Sequence, residues 1–378
     1  MNLSQIATIL NEQLVPNIEG AAQVAETLDN LVDFGKSAST LSQNDLLDLK
    51  NKFVSAVART EFETRALKKN GLGFRRTKED FAGCIQRVKM ELMKAEDTDI
   101  YNLQKSKTYN RGQKWDGYDM DNKIFTDSTA FRIVHQIPLK DFISAINSKT
   151  SMTSFVALIE ATVKNTMNIE EYAMEIAMLV AGIANNAKNE VKLVTMYNAE
   201  TSGSLTAETA LHNYEFLQWA SGVIAEMRKY LTDPNKKYND GTITTFVPES
   251  DIRVTMLSKF DTQIRTHLLS TTFNDNYLTL KVDNTINSWC GVGESLFPTF
   301  ADVSKIDVTI DKGGVSTPVK INNCIGCIYD FDGYAWCEED MTITSDWNGD
   351  GAFSTIYENH LGKKIVDPRN TTVFFTLN

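Results

Sequence analysis

Between two segments of strictly alternating residues lies a long polar stretch with no periodicity of its own. Val88, Met90 and Leu92 alternate with Arg87, Lys89 and Glu91; Phe131, Ile133, His135 and Ile137 alternate with Arg132, Val134 and Gln136. Both have the period of two expected of a β-strand. Residues 96–128 between them are rich in Asp, Asn, Lys and Gly. A loop of that length is uncommon inside a compact domain unless it serves a function. A two-stranded ribbon alone in water is marginally stable. The pattern predicts a long two-stranded finger that gains its stability by lying on a neighbour.

Short amphipathic helices precede the finger. Ile6, Ile9 and Leu10 begin one that stops at Pro16; a second covers residues 18–34 and ends at Gly35. A third follows Ser42, with Asp45 in capping-box position and Leu46, Leu47, Leu49 and Phe53 as its apolar positions. Helices so interrupted make a poor isolated core and read as an arm that packs on something else.

After the finger the pattern turns helical at residues 139–146 and 152–163. Asn168 then reads as the cap of the most regular stretch, residues 169–188, about 30 Å long at 1.5 Å per residue. Glu170 and Glu171 fall in its first turn, and Tyr172, Ile176, Leu179, Val180 and Ile183 form its stripe. A second long helix is predicted over residues 206–231, with Tyr214, Leu217, Ala220, Ile224 and Met227 facing inward and Asp233-Pro234 ending it. The rest is mixed. Residues 242–247 read as a strand, 257–269 as a helix, and Ile306, Val308 and Ile310 as a strand that turns at Gly313-Gly314 into residues 319–321. The tail from residue 342 is strand and turn and closes on Val373-Phe374-Phe375.

No arrangement of residues carries a recognisable chemistry. Asp346-Trp347-Asn348-Gly349-Asp350-Gly351 opens like a calcium loop, but the twelfth position, where a bidentate Glu belongs, is Tyr357. A polar turn is the better reading. Cys324-Ile325-Gly326-Cys327 has metal or redox spacing, but lies in a strand-like stretch without a full ligand set, and reads as buried apolar packing. Glu208, His212 and Glu215 share one face of the predicted second helix and read as a solvated face. His135, His212, His267 and His360 are scattered, and Glu171 with Glu175 is an ordinary carboxylate pair in an acidic chain. Lys68-Lys69 and Arg75-Arg76 read as solvated surface. Accordingly no catalytic, cofactor-binding or metal-binding residue is assigned, no cofactor is expected, and the chain is read as a structural subunit rather than an enzyme.

Charge limits the partners. With 38 Lys and Arg against 49 Asp and Glu the formal net charge is -11, so the chain lacks the surplus cations with which proteins grip nucleic acid by counterion release. No apolar run approaches the ~20 residues of a membrane span, the start shows no secretory pattern, and the five cysteines are too few and too scattered for a disulfide framework. A reducing cytoplasm is expected, with no membrane partner.

The order of these elements — helical arm, long finger, uninterrupted helix, mixed α/β lobe, final strands — resembles the major capsid proteins of tailed bacteriophages with the Hong Kong 97-type fold. The residues 245–252 (Thr-Phe-Val-Pro-Glu-Ser-Asp-Ile) and the helix at 257–269 are similar to segments of the axial lobe of such proteins. The resemblance implies an α+β fold divided into an N-terminal arm (1–67), an extended E-loop with flanking strands (68–138), a peripheral domain with a spine helix (139–204), an axial domain (205–340) and strands returning to the peripheral domain (341–378). It implies self-assembly as hexamers and pentamers into an icosahedral shell around packaged double-stranded DNA, with scaffolding and portal proteins as partners. The protein would be made in the host bacterial cytoplasm and reside in the virion. Lys105, Lys107 and Lys114 lie in the finger, but nothing identifies a partner Asn, so no covalent cross-link is predicted. The alternatives are an encapsulin-like compartment shell, a tail or adaptor subunit, and, from a different class, a cytoplasmic hydrolase or calcium-binding enzyme with its site near Asp346.

Overall fold

The computed structural model describes residues 7–8, 10–11, 71–76, 85–92, 120–126, 128–138, 141, 149–269, 280–291, 296–312, 315–348 and 353–378. Most of the helical arm, the segment at 139–146 and the tip of the finger lie outside them.

In chain order the strands are β1 (Arg75–Arg76), β2 (Ile85–Met90), β3 (Met120–Phe125), β4 (Ser128–Pro138), β5 (Glu190–Lys192), β6 (Ile252–Leu257), β7 (Asn284–Ile286), β8 (Ile306–Lys312), β9 (Val315–Ile321), β10 (Cys324–Asp330), β11 (Tyr334–Asn348), β12 (Phe353–Val366) and β13 (Thr372–Thr376). The helices are α1 (Lys149–Asn185), α2 (Leu193–Thr201), α3 (Ala207–Ala210), α4 (Tyr214–Tyr230), α5 (Ser258–Leu269) and α6 (Phe300–Val303). The fold is a mixed α+β one, and the chain divides into two compact units.

The first unit comprises Met1–Asp80, Ser128–Glu175 and Trp336–Lys363. Its sheet has the order β1-β11-β12-β4. β12 runs antiparallel to β4, from Phe353 opposite Pro138 to Lys363 opposite Ser128. Ile133, Ile137 and Ile356 point to the covered face, as the alternation along β4 predicts.

The second unit comprises Phe81–Asp127, Ile176–Ala335 and Lys364–Asn378. Its sheet has the order β5-β13-β10-β6-β7, and every residue of the central strand β10 is buried. Helices α2, α4 and α5 contribute Leu193, Tyr197, Phe216, Leu217, Ile224 and Phe260 to one core with Val254, Ile328 and Phe375 from the sheet. Gly326 is required here because a Cβ would come within 2.8 Å of the Thr255 carbonyl on β6. Two ribbons, β2-β3 and β8-β9, complete the unit; in the second, Lys312 lies opposite Val315, and Gly313-Gly314 falls outside the described residues.

Several expectations need correction. The helices expected at 152–163 and 169–188 are one helix of 37 residues, about 55 Å long at 1.5 Å per residue. Nothing between them breaks it. Ile159, Val163 and Met167 continue one buried stripe at steps of four, and Thr166 satisfies its hydroxyl on the Thr162 carbonyl (3.0 Å). Asn168 is therefore a mid-helix residue and not a cap. The helix expected over 206–231 is two, α3 and α4. Asn213 breaks it by accepting a hydrogen bond from the Phe216 amide (2.9 Å), which makes it the cap of a new helix. Residues 242–247 form only an isolated bridge, Asn235 to Thr245. Asn239 and Asp240 take the amides of Gly241 and Thr242 on their side chains, and Asn239 donates to the Ile243 carbonyl, replacing a strand ladder with local turns.

The finger has a different partner from the one the sequence suggested. β2 pairs with β3, from within the aperiodic stretch, in a register that sets Ile85 opposite Phe125 and Met90 opposite Met120. β4, the second alternating segment, belongs to the other unit's sheet.

Candidate functional site

The ribbon β2-β3 is inside out. Residues directly opposite in an antiparallel pair share a face, so Gln86 with Ile124, Val88 with Asn122 and Met90 with Met120 form one face. That face is open: Val88 is 56%, Met90 50%, Met120 65% and Ile124 54% exposed. Leu92, just beyond the strand, continues it. The opposite face carries the charges. There Arg87 lies opposite Lys123, and Lys89 opposite Asp121. Two cations facing each other destabilise an isolated ribbon, so this face needs anions from elsewhere.

The rest of the second unit supplies neutral acceptors and, behind them, the carboxylates of Asp330, Asp332 and Asp367. At the foot, Ile85 and Phe125 pack with Ala335 and Ile365. Arg87 donates to the Asp332 carbonyl (2.6 Å), and Lys89 Nζ donates to Asn370 Oδ1 (2.6 Å). Burial pushes the Lys89 ammonium's pKa down, against the opposing pull of Asp367 and Asp330. Glu91 accepts from the Thr244 amide (3.0 Å) and pairs with Lys236 (3.2 Å). The hydrogen bonds from Thr244 hold this carboxyl below its usual range. Asp330 accepts from Asn370 Nδ2 (2.5 Å), and burial raises its pKa.

A second polar assembly lies in the first unit. Arg75 bridges Glu171 and Glu338, the latter at 2.8 Å, with its guanidinium 5.2 Å from the Trp336 ring centre. Glu338 continues to His360 (2.9 Å). Glu358 then lies between His360 (3.8 Å) and His135 (3.5 Å), and Phe131 stacks on the His360 ring at 4.7 Å. Nearby, Glu175 accepts from the amides of Leu72 and Phe74; burial is the largest influence on it and raises its pKa. A Cβ at Gly71 would collide with that carboxylate.

The candidates read from the sequence separate cleanly. Glu208, His212 and Glu215 are exposed, and the break before α4 removes their common helix. Cys324 and Cys327 are fully buried on β10, where burial pushes both thiols well up, the opposite of a reactive pair. Asp346 and Asn348 are exposed at the end of β11, and Asp350 lies outside the described residues. Among the described residues no group of three or more His, Cys, Asp or Glu could hold a metal ion, and no helix is long and apolar enough to cross a membrane. Arg75 is not the solvated charge expected of it, because Glu171 and Glu338 both reach it. His135 and His360, far apart in sequence, are brought together at Glu358. Lys68, Lys69, Lys105, Lys107 and Lys114 lie outside the described residues, and of the His267 side chain nothing is described.

Comparison with known proteins gives one family. A family model described as Phi29-like phage major capsid protein matches residues 7–376. Among solved structures, the capsid of Staphylococcus phage Andhra shares 13% identity at a TM-score of 0.53, covering 82% of this chain and 84% of that one. At that identity the likeness speaks for the fold alone. A structure of the head fiber and inner core protein gp22 of native bacteriophage P68 matches at 13% identity and a TM-score of 0.49, over 82% of this chain and 86% of that one. No curated protein matches the chain.

Proposed function

The chain belongs to the Phi29-like phage major capsid protein family, and from that premise we propose how it builds its shell. It is a structural, shell-forming protein of the phage virion. The observation that carries the rest is the open apolar face of β2-β3. A ribbon that seats its charged face on its own unit and turns Val88, Met90, Met120 and Ile124 outward leaves apolar area to be covered by assembly.

The occupant is a second copy of this chain, since shells are built from repeated subunits and each must cover its neighbours. On this reading β2-β3 is the base of the extended E-loop of a Hong Kong 97-type fold. The spine is α1, residues 205–340 form the axial domain around capsomer axes, and residues 341–378 return to the peripheral domain. Residues 1–67 form an arm on neighbouring copies. Hexamers and pentamers enclose double-stranded DNA, with scaffolding and portal proteins as partners. The net charge of -11 supports a lining that holds DNA without gripping it. The family match favours this reading over the encapsulin-like, tail, adaptor and enzyme alternatives.

The test is Val88→Asp with Met90→Asp. Both side chains are exposed, so the subunit should fold with an unchanged melting curve. Shell formation, followed by light scattering, should fall at least tenfold. Shells at wild-type yield would sink the proposed role of this face.

A further inference from the structure

The turn between β12 and β13 reads Asp367-Pro368-Arg369-Asn370. Arginine in a turn is ordinarily a solvated charge, yet Arg369 is 1% exposed. Its guanidinium is spent entirely on two objects. One is Asp367, which accepts from Nε (2.9 Å) and Nη2 (2.8 Å) in a two-pronged pair. The other is the ribbon. Nη1 donates to the Asp121 carbonyl on β3 (2.9 Å), and Nη2 to the Arg87 carbonyl on β2 (3.2 Å). The two carbonyls belong to opposite strands, so one rigid fork holds both strands of the ribbon at once.

The neighbouring residue adds a third hold. Asn370 accepts from Lys89 on one side and donates to Asp330 on the other. Its close approach requires Gly333, where a Cβ would stand 2.7 Å from the Asn370 Cβ. Burial alone would raise the pKa of Asp367, but Arg369 and Lys89 together outweigh it and keep the carboxyl below its ordinary value.

We propose that the Asp367–Asn370 turn is a clasp that sets the pitch of the β2-β3 ribbon on its own unit, with Arg369 as the positioning residue that fits it to the next subunit. Buried ionic contacts contribute little net stability, because desolvation offsets their attraction. Their directionality is what a greasy contact lacks: the planar fork accepts one geometry. Above its apolar foot at Ile85 and Phe125, the seat of the ribbon is therefore angular and polar, and its outward apolar face is left for a second copy. The clasp rests on the reading that this face meets a neighbour.

The experiment compares wild type with Arg369→Gln in the full chain. Hydrogen exchange on the unassembled subunit reads the clasp, with β10 and β13 as internal controls. Exchange in β2 and β3 should quicken at least tenfold while the controls hold, and shell yield should fall at least tenfold. Exchange in the ribbon at the wild-type rate overturns the clasp. A loosened ribbon that still gives shells at wild-type yield overturns its role in assembly. If Arg369→Gln fails to fold, Lys89→Gln leaves the Arg369 fork in place, removes the ammonium that bonds Asn370 and faces Asp367 and Asp330, and is read by the same two outcomes. Failure of the underlying reading is seen separately: Val88→Asp with Met90→Asp would then assemble normally, with ribbon exchange unaffected.

Discussion

His360 Nδ1 lies 2.9 Å from Oε1 of Glu338, on the strand beside it, with both side chains closed off from water. Glu358 approaches the other side of the same ring. His135 on β4 faces Glu358, and Arg75 on β1 faces Glu338. Burial by itself would lower the pKa of His360; the hydrogen bonds and charges of Glu338 and Glu358 together outweigh it and hold it above its ordinary value.

A histidine whose folded pKa is raised contributes stability that is complete below about 6.5, its unfolded value, and is lost as pH rises through the folded value. The thermal midpoint of the unassembled subunit should therefore decline as pH is raised from about 6 to 9. His360→Ala should cost about 3 kcal/mol at pH 6, because two buried carboxylates each lose one of their partners, and should flatten the pH dependence. Differential scanning calorimetry across that range checks both. A wild-type midpoint that climbs steadily with pH would refute the assignment.

Phe216 and Ile169 should behave in opposite ways. Phe216 is fully buried in the second unit, edge-on to Tyr197 at 5.4 Å. Phe216→Ala should cost about 3–5 kcal/mol by denaturant titration, the transfer loss plus the cavity. Ile169 begins the regular stretch read from the sequence, yet is 65% exposed on α1. Ile169→Ala should change stability by less than about 0.5 kcal/mol.

Calcium should be without effect. Tyr357 occupies the place of the bidentate carboxylate, and its ring lies 5.2 Å beneath the Arg132 guanidinium on β4. Neither added calcium nor a chelator should move the thermal midpoint of the wild type or of Asp346→Ala. A calcium-dependent rise in wild type that this variant loses would restore the metal reading.

What could be read from the sequence followed the range of the interactions. The alternation along Phe131–Ile137 placed its covered face correctly, because period two is a local property. So did the stripe through Leu179, Val180 and Ile183. The alternation at Val88, Met90 and Leu92 was equally legible, but a pattern does not say which face is covered. Here the polar face is the covered one, because Asp332, Arg369 and Asn370 come from more than two hundred residues away. β3 was missed because Met120-Asp121-Asn122-Lys123 carries turn-forming residues and takes its strand form from β2. The clasp was missed because nothing local tells a buried arginine from a solvated one. The only signal was Asp two residues before Arg, with Pro between to fix the turn.

The central claim is that this subunit closes into shells through the outward face of β2-β3. The most direct measurement is electron cryomicroscopy of the expressed protein, with light scattering on the same sample. Closed shells, or hexamer and pentamer rings, in which Val88, Met90, Met120 and Ile124 are covered by a neighbouring copy are the predicted result. A protein that stays monomeric under crowding and with candidate scaffolds, or shells in which that face remains bare, would contradict it.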